Sequence, residues 1–163
     1  MSVAYLRQIA GWLDRLVAVT MVLILAVMLV VTSAGVFWRY VLNSGLVWAD
    51  ELSRFLLVWA SFLGATLAVY RGAHISINVV YDRLSPKTQL WMTRTVDSLI
   101  VVFMGAMLVC GVKLLPVVRI RVAPTVFVSM DIPYSIIPIS AGIIIFYVLV
   151  RMLGGINPPK EEP

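Results

Sequence analysis

Charged residues are scarce in this sequence: they make up 13% of the chain, whereas 61% of it is hydrophobic. An ordinary soluble domain has about 25% charged and roughly 45–50% apolar residues. A chain of 163 residues cannot bury so much apolar surface within its own fold, so lipid must cover the remainder. The composition therefore predicts a membrane protein.

Residues suited to catalysis or metal binding are also few. With one cysteine, Cys110, and one histidine, His74, the chain can form no intramolecular disulfide and offers too few ligands for a metal or haem site. We expect Cys110 to be a buried, unreactive thiol. The sequence shows no phosphate loop, nucleophile motif or basic patch with interleaved aromatics. We therefore predict no enzyme activity, no cofactor, no metal and no nucleic-acid partner.

Four uncharged runs predict an all-α protein with four transmembrane helices in a single membrane domain, 1–163. The first run, Leu16–Phe37, would span ~33 Å as a helix, against a hydrocarbon core of ~30 Å. It is too long for a cleaved signal peptide. A proline inside the fourth run, Pro138, should bend that helix. The helices are expected at about 16–38, 46–70, 96–118 and 132–151, with a tail at 152–163.

The connections between these runs predict the topology. Asn43-Ser44-Gly45 is typical of a turn that leads into an interfacial start of helix two, and residues 75–84 (ISINVVYDRL) of an amphipathic segment on the membrane surface. Eight Lys and Arg residues fall on the side of the termini and second loop, and five on the other. The positive-inside rule then puts both termini in the cytoplasm.

The start of helix two carries an acidic pair in the stretch WADELSR, residues 48–54. Neighbouring helical residues point ~100° apart, so Asp50 and Glu51 do not form an acid–base dyad. Both carboxylates can reach Arg54 within one helical turn, and Lys113 of helix three is expected at the same interface as Glu51. Local ion pairing, contact with another subunit and an ion relay are the three interpretations.

Helix two also presents two distinct faces. Trp48 and Trp59 belong to a largely aromatic stripe, whereas Ala60, Gly64 and Ala68 follow the small-xxx-small spacing that lets helices approach closely in lipid. Either face could pack inside this chain or on a partner. Beyond the helix, Arg71 and His74 should lie at the opposite membrane interface. There His74 would bond to backbone or headgroups, touch a partner, or act as a proton switch.

The central block resembles the signature of the small membrane subunit, or Q subunit, of tripartite ATP-independent periplasmic (TRAP) transporters. The block reads WADELSRFLLVWASFLGATLAVYRGAHISINVV, and FWRY at 37–40 is similar to the end of that family's first helix. The agreement in layout covers roughly residues 10 to 152. The matching positions are Trp48, Glu51, Arg54, Trp59, Gly64, Arg71, Gly72, His74 and Ile75.

This resemblance implies a role and a set of partners. Such systems import organic acids such as C4-dicarboxylates or sialic acid across the bacterial inner membrane, driven by a sodium gradient. A periplasmic substrate-binding protein delivers the substrate to a large M subunit, which the small subunit braces among the membrane lipids. The partner-interface candidates are Trp48, Asp50, Glu51, Arg54, Trp59, Ala60, Gly64, Ala68, Arg71 and His74. The alternatives are a small membrane anchor of a redox complex and a self-sufficient exporter.

Overall fold

The computed structural model describes residues 3–71 and 86–153, and within these ranges the chain is helical with no strand. The helices in these ranges are α1 (Val3–Val41), α2 (Val47–Tyr70), α3 (Pro86–Val118), α4 (Asp131–Tyr134) and α5 (Ile136–Met152). Helices α4 and α5 together form one apolar span, so the described residues contain four spans that are long and apolar enough to cross a membrane. The prediction of an all-α, four-span protein is confirmed. The amphipathic segment at 75–84 and most of the tail lie outside the described residues.

The first helix begins at Val3, 13 residues before its predicted start. Its length of 39 residues corresponds to ~58 Å, nearly twice the hydrocarbon thickness. The early start was missed because the first turns are amphipathic and not uniformly apolar. Ala10 is fully buried against Tyr147 and Val150 of α5, while Arg7 and Arg15 stay exposed.

The turn between α1 and α2 lies where the Asn-Ser-Gly stretch predicts it. Asn43 has a φ of 49°, in the left-handed region that asparagine tolerates better than most residues. Helix α2 then runs from Val47 to Tyr70, within a residue of its predicted bounds. This turn sets α1 and α2 side by side in opposite directions.

The third helix also begins earlier than predicted, at Pro86 and not at 96. A proline in the first helical position loses no intrahelical hydrogen bond, so it makes a natural helix start. The fourth span is interrupted at Ser135, since Pro138 has no N–H to donate to the carbonyl of Tyr134. Glycine permits close packing of α3 on α5 here, because a Cβ at Gly111 would lie 3.0 Å from the Pro138 side chain.

The helices pack in the order α1, α2, α5, α3, so the last helix of the chain lies inside the bundle. Helices α2 and α5 bury the largest share of their spanning residues, and α1 and α3 flank them. The buried core joins Val17 of α1, Leu63 and Leu67 of α2, and Ile136 of α5. Each flanking helix therefore keeps a broad apolar face that only lipid or a partner can cover.

Cys110 lies on such a face and is exposed, so the expectation of burial was wrong. The pattern of an apolar run does not distinguish burial in protein from burial in lipid. Helix α3 has very little of its surface covered by the rest of the chain, and it exposes Leu99 and Val102 as well.

Candidate functional site

The charged side chains of the bundle gather in two layers near its two ends. One layer surrounds Glu51 at the start of α2, and we call it the Glu51 end. The other surrounds Asp97 near the start of α3, and we call it the Asp97 end. Along α1, Asp14 at the Asp97 end and Arg39 at the Glu51 end are separated by ~37 Å of helix. That separation exceeds the ~30 Å of a hydrocarbon core.

Glu51 fastens the loop between α3 and α4 to the start of α2. Its Oε2 accepts hydrogen bonds from the backbone N–H of Thr125 at 3.0 Å and of Val126 at 3.3 Å. The hydroxyl of Thr125 donates a third bond to the same oxygen. These donors lie 74 and 75 residues away in sequence, so one carboxylate joins two distant segments. Lys113, expected at the same interface, forms no ion pair with Glu51 in the described part of the chain.

The loop that Glu51 holds is a tight, twisted hairpin. Val122 and Ser129 form an isolated antiparallel bridge, and the N–H of Ala123 donates to the carbonyl of Val128 at 2.9 Å. Phe127 at its tip has a φ of 55°, which is unfavourable for a bulky side chain. It is also 83% exposed. The bonds to Glu51 help to hold the backbone of this strained turn.

Asp50 points away from Glu51 and pairs with Arg39 of α1. The distance from Asp50 Oδ2 to Arg39 Nη2 is 2.8 Å, and both side chains are more than half exposed. The local pairs expected with Arg54 do not form, because each carboxylate finds a partner on another segment. Within the described ranges Arg54 has no ion-pair partner.

The tryptophans of α2 differ in their surroundings. Trp59 Nε1 donates a hydrogen bond to the carbonyl of Pro133 at 3.1 Å, which ties α2 to α4. Pro133 lies in the last turn of α4, where carbonyls lack their intrahelical donors, and the indole N–H supplies one. Trp48, one residue into the helix, is 42% exposed.

The small-residue stripe of α2 packs within this chain. Ala60 is buried, and a Cβ at Gly64 would lie 3.4 Å from the Cε atom of Met21 on α1. Ala68 is half-buried. This face could pack inside the chain or on a partner, and the contact of Gly64 with α1 supports packing inside the chain.

At the opposite end, Asp97 of α3 pairs with Arg151 of α5. Both side chains are buried, at 3% and 13% exposure respectively, and the guanidinium Nη2 bonds directly to the Asp97 carboxylate. Arg151 Nη1 also donates to the carbonyl of Val69 on α2 at 3.5 Å. One arginine thus joins three helices.

A second cluster at the Asp97 end joins α1 to α2 and α5. Asp14 pairs with Arg71 at 3.4 Å, and the ring of Tyr70 lies 4.9 Å from that of Tyr147. Two atoms of this cluster, Asp14 Oδ1 and the hydroxyl of Tyr147, are buried with no hydrogen-bond partner in the described part of the chain. His74, predicted near this end, lies outside the described residues.

Sequence reasoning identified Glu51 but missed its partner Thr125. It also missed the pairing of Arg39 with Asp50, of Asp14 with Arg71 and of Arg151 with Asp97. The sequence does contain a signal for Arg151. Consecutive spans run in opposite directions, so the start of α3 and the end of α5 lie at the same membrane interface, where Asp97 and Arg151 can meet. No such signal exists for Thr125, since its backbone N–H carries the contact. Among residues 3–71 and 86–153 no group of three metal-ligating side chains occurs.

Residues 28–157 match the family described as tripartite ATP-independent periplasmic transporters, DctQ component. The chain belongs to this family. DctQ proteins are transporter components, and the four apolar helices make this one a multi-pass membrane protein.

Several curated relatives carry matching descriptions. A candidate TRAP transporter small permease protein of Haemophilus influenzae is 31% identical over 97 residues, covering 60% of each chain. The sialic acid TRAP transporter small permease protein SiaQ of Vibrio cholerae is 27% identical over 111 residues, covering 68% of this chain and 62% of the relative. The chain thus spans about three fifths of the length of these two relatives.

A third relative is much longer. The isethionate TRAP transporter permease protein DctMQ of Oleidesulfovibrio alaskensis is 25% identical over 159 residues. The match covers 91% of this DctQ chain and 25% of that relative. Almost the whole of this chain therefore corresponds to one quarter of a larger permease polypeptide.

Proposed function

We propose that this chain is the small scaffold subunit of a sodium-driven, binding-protein-dependent secondary transporter that imports an organic acid of the C4-dicarboxylate or sialic acid type. It braces the large M subunit in the membrane of a bacterial cell and is not itself an enzyme. The substrate and sodium sites belong to the large subunit, and the periplasmic binding protein delivers the substrate.

The arrangement of charge carries this proposal. The uncharged middles of the four spans are residues 16–38, 55–70, 98–112 and 132–150. Sites that couple ions to substrates usually lie near the bilayer midplane, and no charged side chain is present there. The charges at the two ends instead form bonds between distant segments, namely Arg39–Asp50, Glu51–Thr125, Asp14–Arg71 and Asp97–Arg151. Such bonds fix the helices relative to each other, which suits a brace.

The match to the longer DctMQ relative supports a large membrane partner for this chain. When a protein like this one is joined to a larger part in a single polypeptide, the two parts have to pack together in the same membrane. Because Ala60 and Gly64 already pack inside the chain, direct contact with the large subunit falls to exposed candidates such as Trp48 and to the apolar faces of α1 and α3.

Transport assays with defined subunits test this role. Vesicles with the large subunit, the binding protein and this chain should take up substrate when a sodium gradient is imposed. Vesicles with this chain alone should take up none, and omitting it should lower the thermal stability of the large subunit. Uptake by this chain alone would identify a self-sufficient transporter, and haem absorbance of the purified chain would identify a redox anchor.

The orientation of the chain is a separate part of the proposal. The distribution of Lys and Arg favours cytoplasmic termini, which places the Glu51 end in the periplasm. In a Cys110→Ser background, a cysteine at Asn43 should react with an impermeant thiol reagent added outside spheroplasts. A cysteine at Lys160 should react only after lysis. The reverse pattern would invert the topology.

Glu51 distinguishes a brace from a subunit that shares in ion coupling. All three bonds from its Oε2 go to the hairpin at 122–129, so we expect a structural role. The Glu51→Gln complex should keep the wild-type ratio of sodium to substrate in vesicles, with at most a slower rate. Asp50→Asn is a matched control of the neighbouring carboxylate. A changed ratio in an intact Glu51→Gln complex would exclude a purely bracing role.

A further inference from the structure

A cavity of about 400 Å³ lies between α1 and α2 at the Glu51 end. Sites for small molecules commonly enclose ~300–1,000 Å³, whereas one water occupies ~30 Å³. The cavity therefore has room for a polar group of several heavy atoms. Its walls include two arginines, Arg39 and Arg54, and the apolar residues Val31 and Val36.

The charged residues that line the cavity carry a net positive charge. Arg39 is neutralised by Asp50 at 2.8 Å, whereas Arg54 has no ion pair within the described part of the chain. The charge of Glu51 also interacts with that of Arg54, but Glu51 does not line the cavity and directs its Oε2 to the hairpin at 122–129. The two arginines and the aspartate give the cavity a formal charge of +1.

A formal charge of +1 suits an anion with a single negative charge. A phosphodiester carries a single negative charge, and the planar guanidinium of arginine binds phosphate oxygens through two parallel hydrogen bonds. The hydroxyls of Thr32 and Ser53 also line the cavity, 3.4 Å apart, and either can donate a further bond. An arginine at the edge of a membrane span is stable only when it finds a partner or reaches water.

The apolar side of the cavity points to the rest of the ligand. From the Glu51 end inwards, the α1 lining runs from Arg39 to Val36 and Gly35, and then to Thr32 and Val31. Polar and apolar walls thus alternate along the cavity. A ligand that satisfies both has a charged group and a hydrocarbon part.

From these observations we infer that the cavity binds the phosphodiester headgroup of a membrane phospholipid, with Arg54 as its principal ligand. The hydroxyls of Thr32 and Ser53 assist, and one acyl chain follows the face of α1 at Val31 and Val36. This lipid occupies the junction of α1 and α2 at the Glu51 end. The inference does not depend on the identity of the transported substrate.

Native mass spectrometry of the purified, delipidated full chain tests the site. The probes are phosphatidylglycerol, diacylglycerol with the same acyl chains, and the soluble headgroup glycerophosphoglycerol. Phosphatidylglycerol should bind in a one-to-one complex, and the other two should bind at least tenfold more weakly. Arg54→Gln should weaken phosphatidylglycerol binding by about tenfold or more, as expected for loss of a charge-assisted hydrogen bond. Arg54→Lys, which keeps the charge, should lose less.

Arg121→Gln provides the matched control, since Arg121 is an exposed arginine at the same end but outside the cavity. It should bind phosphatidylglycerol like the wild type, and circular dichroism should show all variants equally helical. Equal binding by Arg54→Gln and wild type would overturn the inference, as would an equal loss in Arg121→Gln. Diacylglycerol binding as tightly as phosphatidylglycerol would exclude a phosphate site. Equal affinity for the soluble headgroup, or displacement of lipid by a dicarboxylate at equal concentration, would assign the cavity to a soluble anion.

Discussion

The ion pairs at the two ends of the bundle differ in how deeply they are buried. At the Asp97 end, Asp97 and Arg151 are buried between helices, with 3% and 13% of their side chains exposed. At the Glu51 end, Arg39 and Asp50 form a surface pair, with 57% and 59% of their side chains exposed. When one member of a buried ion pair is removed, the other remains as an uncompensated buried charge. When one member of an exposed pair is removed, water solvates the other. The Asp97 end should therefore govern stability, and the Glu51 end is open to ligands and partners.

Breaking the buried pair should have the largest effect. Arg151→Met keeps the length of the side chain but leaves the Asp97 carboxylate without its partner. We expect a loss of about 3–5 kcal/mol in the free energy of unfolding, measured by denaturant titration in detergent. The double variant Asp97→Leu/Arg151→Met, which removes both charges, should recover most of that loss. A double variant as unstable as Arg151→Met would show that packing and not charge holds this end.

A larger side chain at the contact between α1 and α2 should have the second-largest effect on stability. Gly64→Leu places a bulky side chain against Met21, and overpacking typically costs about 1–3 kcal/mol. Gly105→Leu is the matched control, because a Cβ at Gly105 meets no atom within 4 Å. Thermal unfolding of the two variants should differ clearly. Equal melting temperatures would mean that α1 and α2 do not approach closely at Gly64.

At the Glu51 end, Glu51→Gln should loosen the hairpin at 122–129 without unfolding the bundle. An amide accepts more weakly than a carboxylate, so the N–H groups of Thr125 and Val126 should exchange faster with solvent deuterium. Exchange in the core of α5 should stay unchanged. Unaltered exchange at both N–H groups would show that the bonds to Glu51 are not needed to hold the hairpin.

The smallest effect is expected from the exposed pair. Asp50→Asn should change the free energy of unfolding by about 1 kcal/mol or less, when measured without phospholipid, and raising the salt concentration should shrink the change further. A loss comparable to that of Arg151→Met would remove the contrast between the two ends.

The sequence predicted the spans well where apolar patterning alone decides them. The bounds of α2 and of the fourth span were correct to within a residue or two because apolar runs end there at turns or charges. The early starts of α1 and α3 were missed because the spans were predicted from uncharged runs. The first turns of both helices carry charged residues and so lie outside those runs. Asp50 and Glu51 were recognised as unusual, but their partners depend on which helices become neighbours. That choice is made by packing, for example at Gly64 and Gly111.

The position of α5 inside the bundle has a consequence for how the chain is made. Ribosomes add about 5–20 residues per second, so Arg151 is synthesised some 3–10 seconds after Asp97, which precedes it by 54 residues. During that interval α1 and α2 can pair as a hairpin, but Asp97 lacks Arg151, its buried partner in the complete fold. The newly synthesised α3 should therefore keep Asp97 at the membrane–water interface, and it should reach its final depth only when α5 enters the membrane with Arg151.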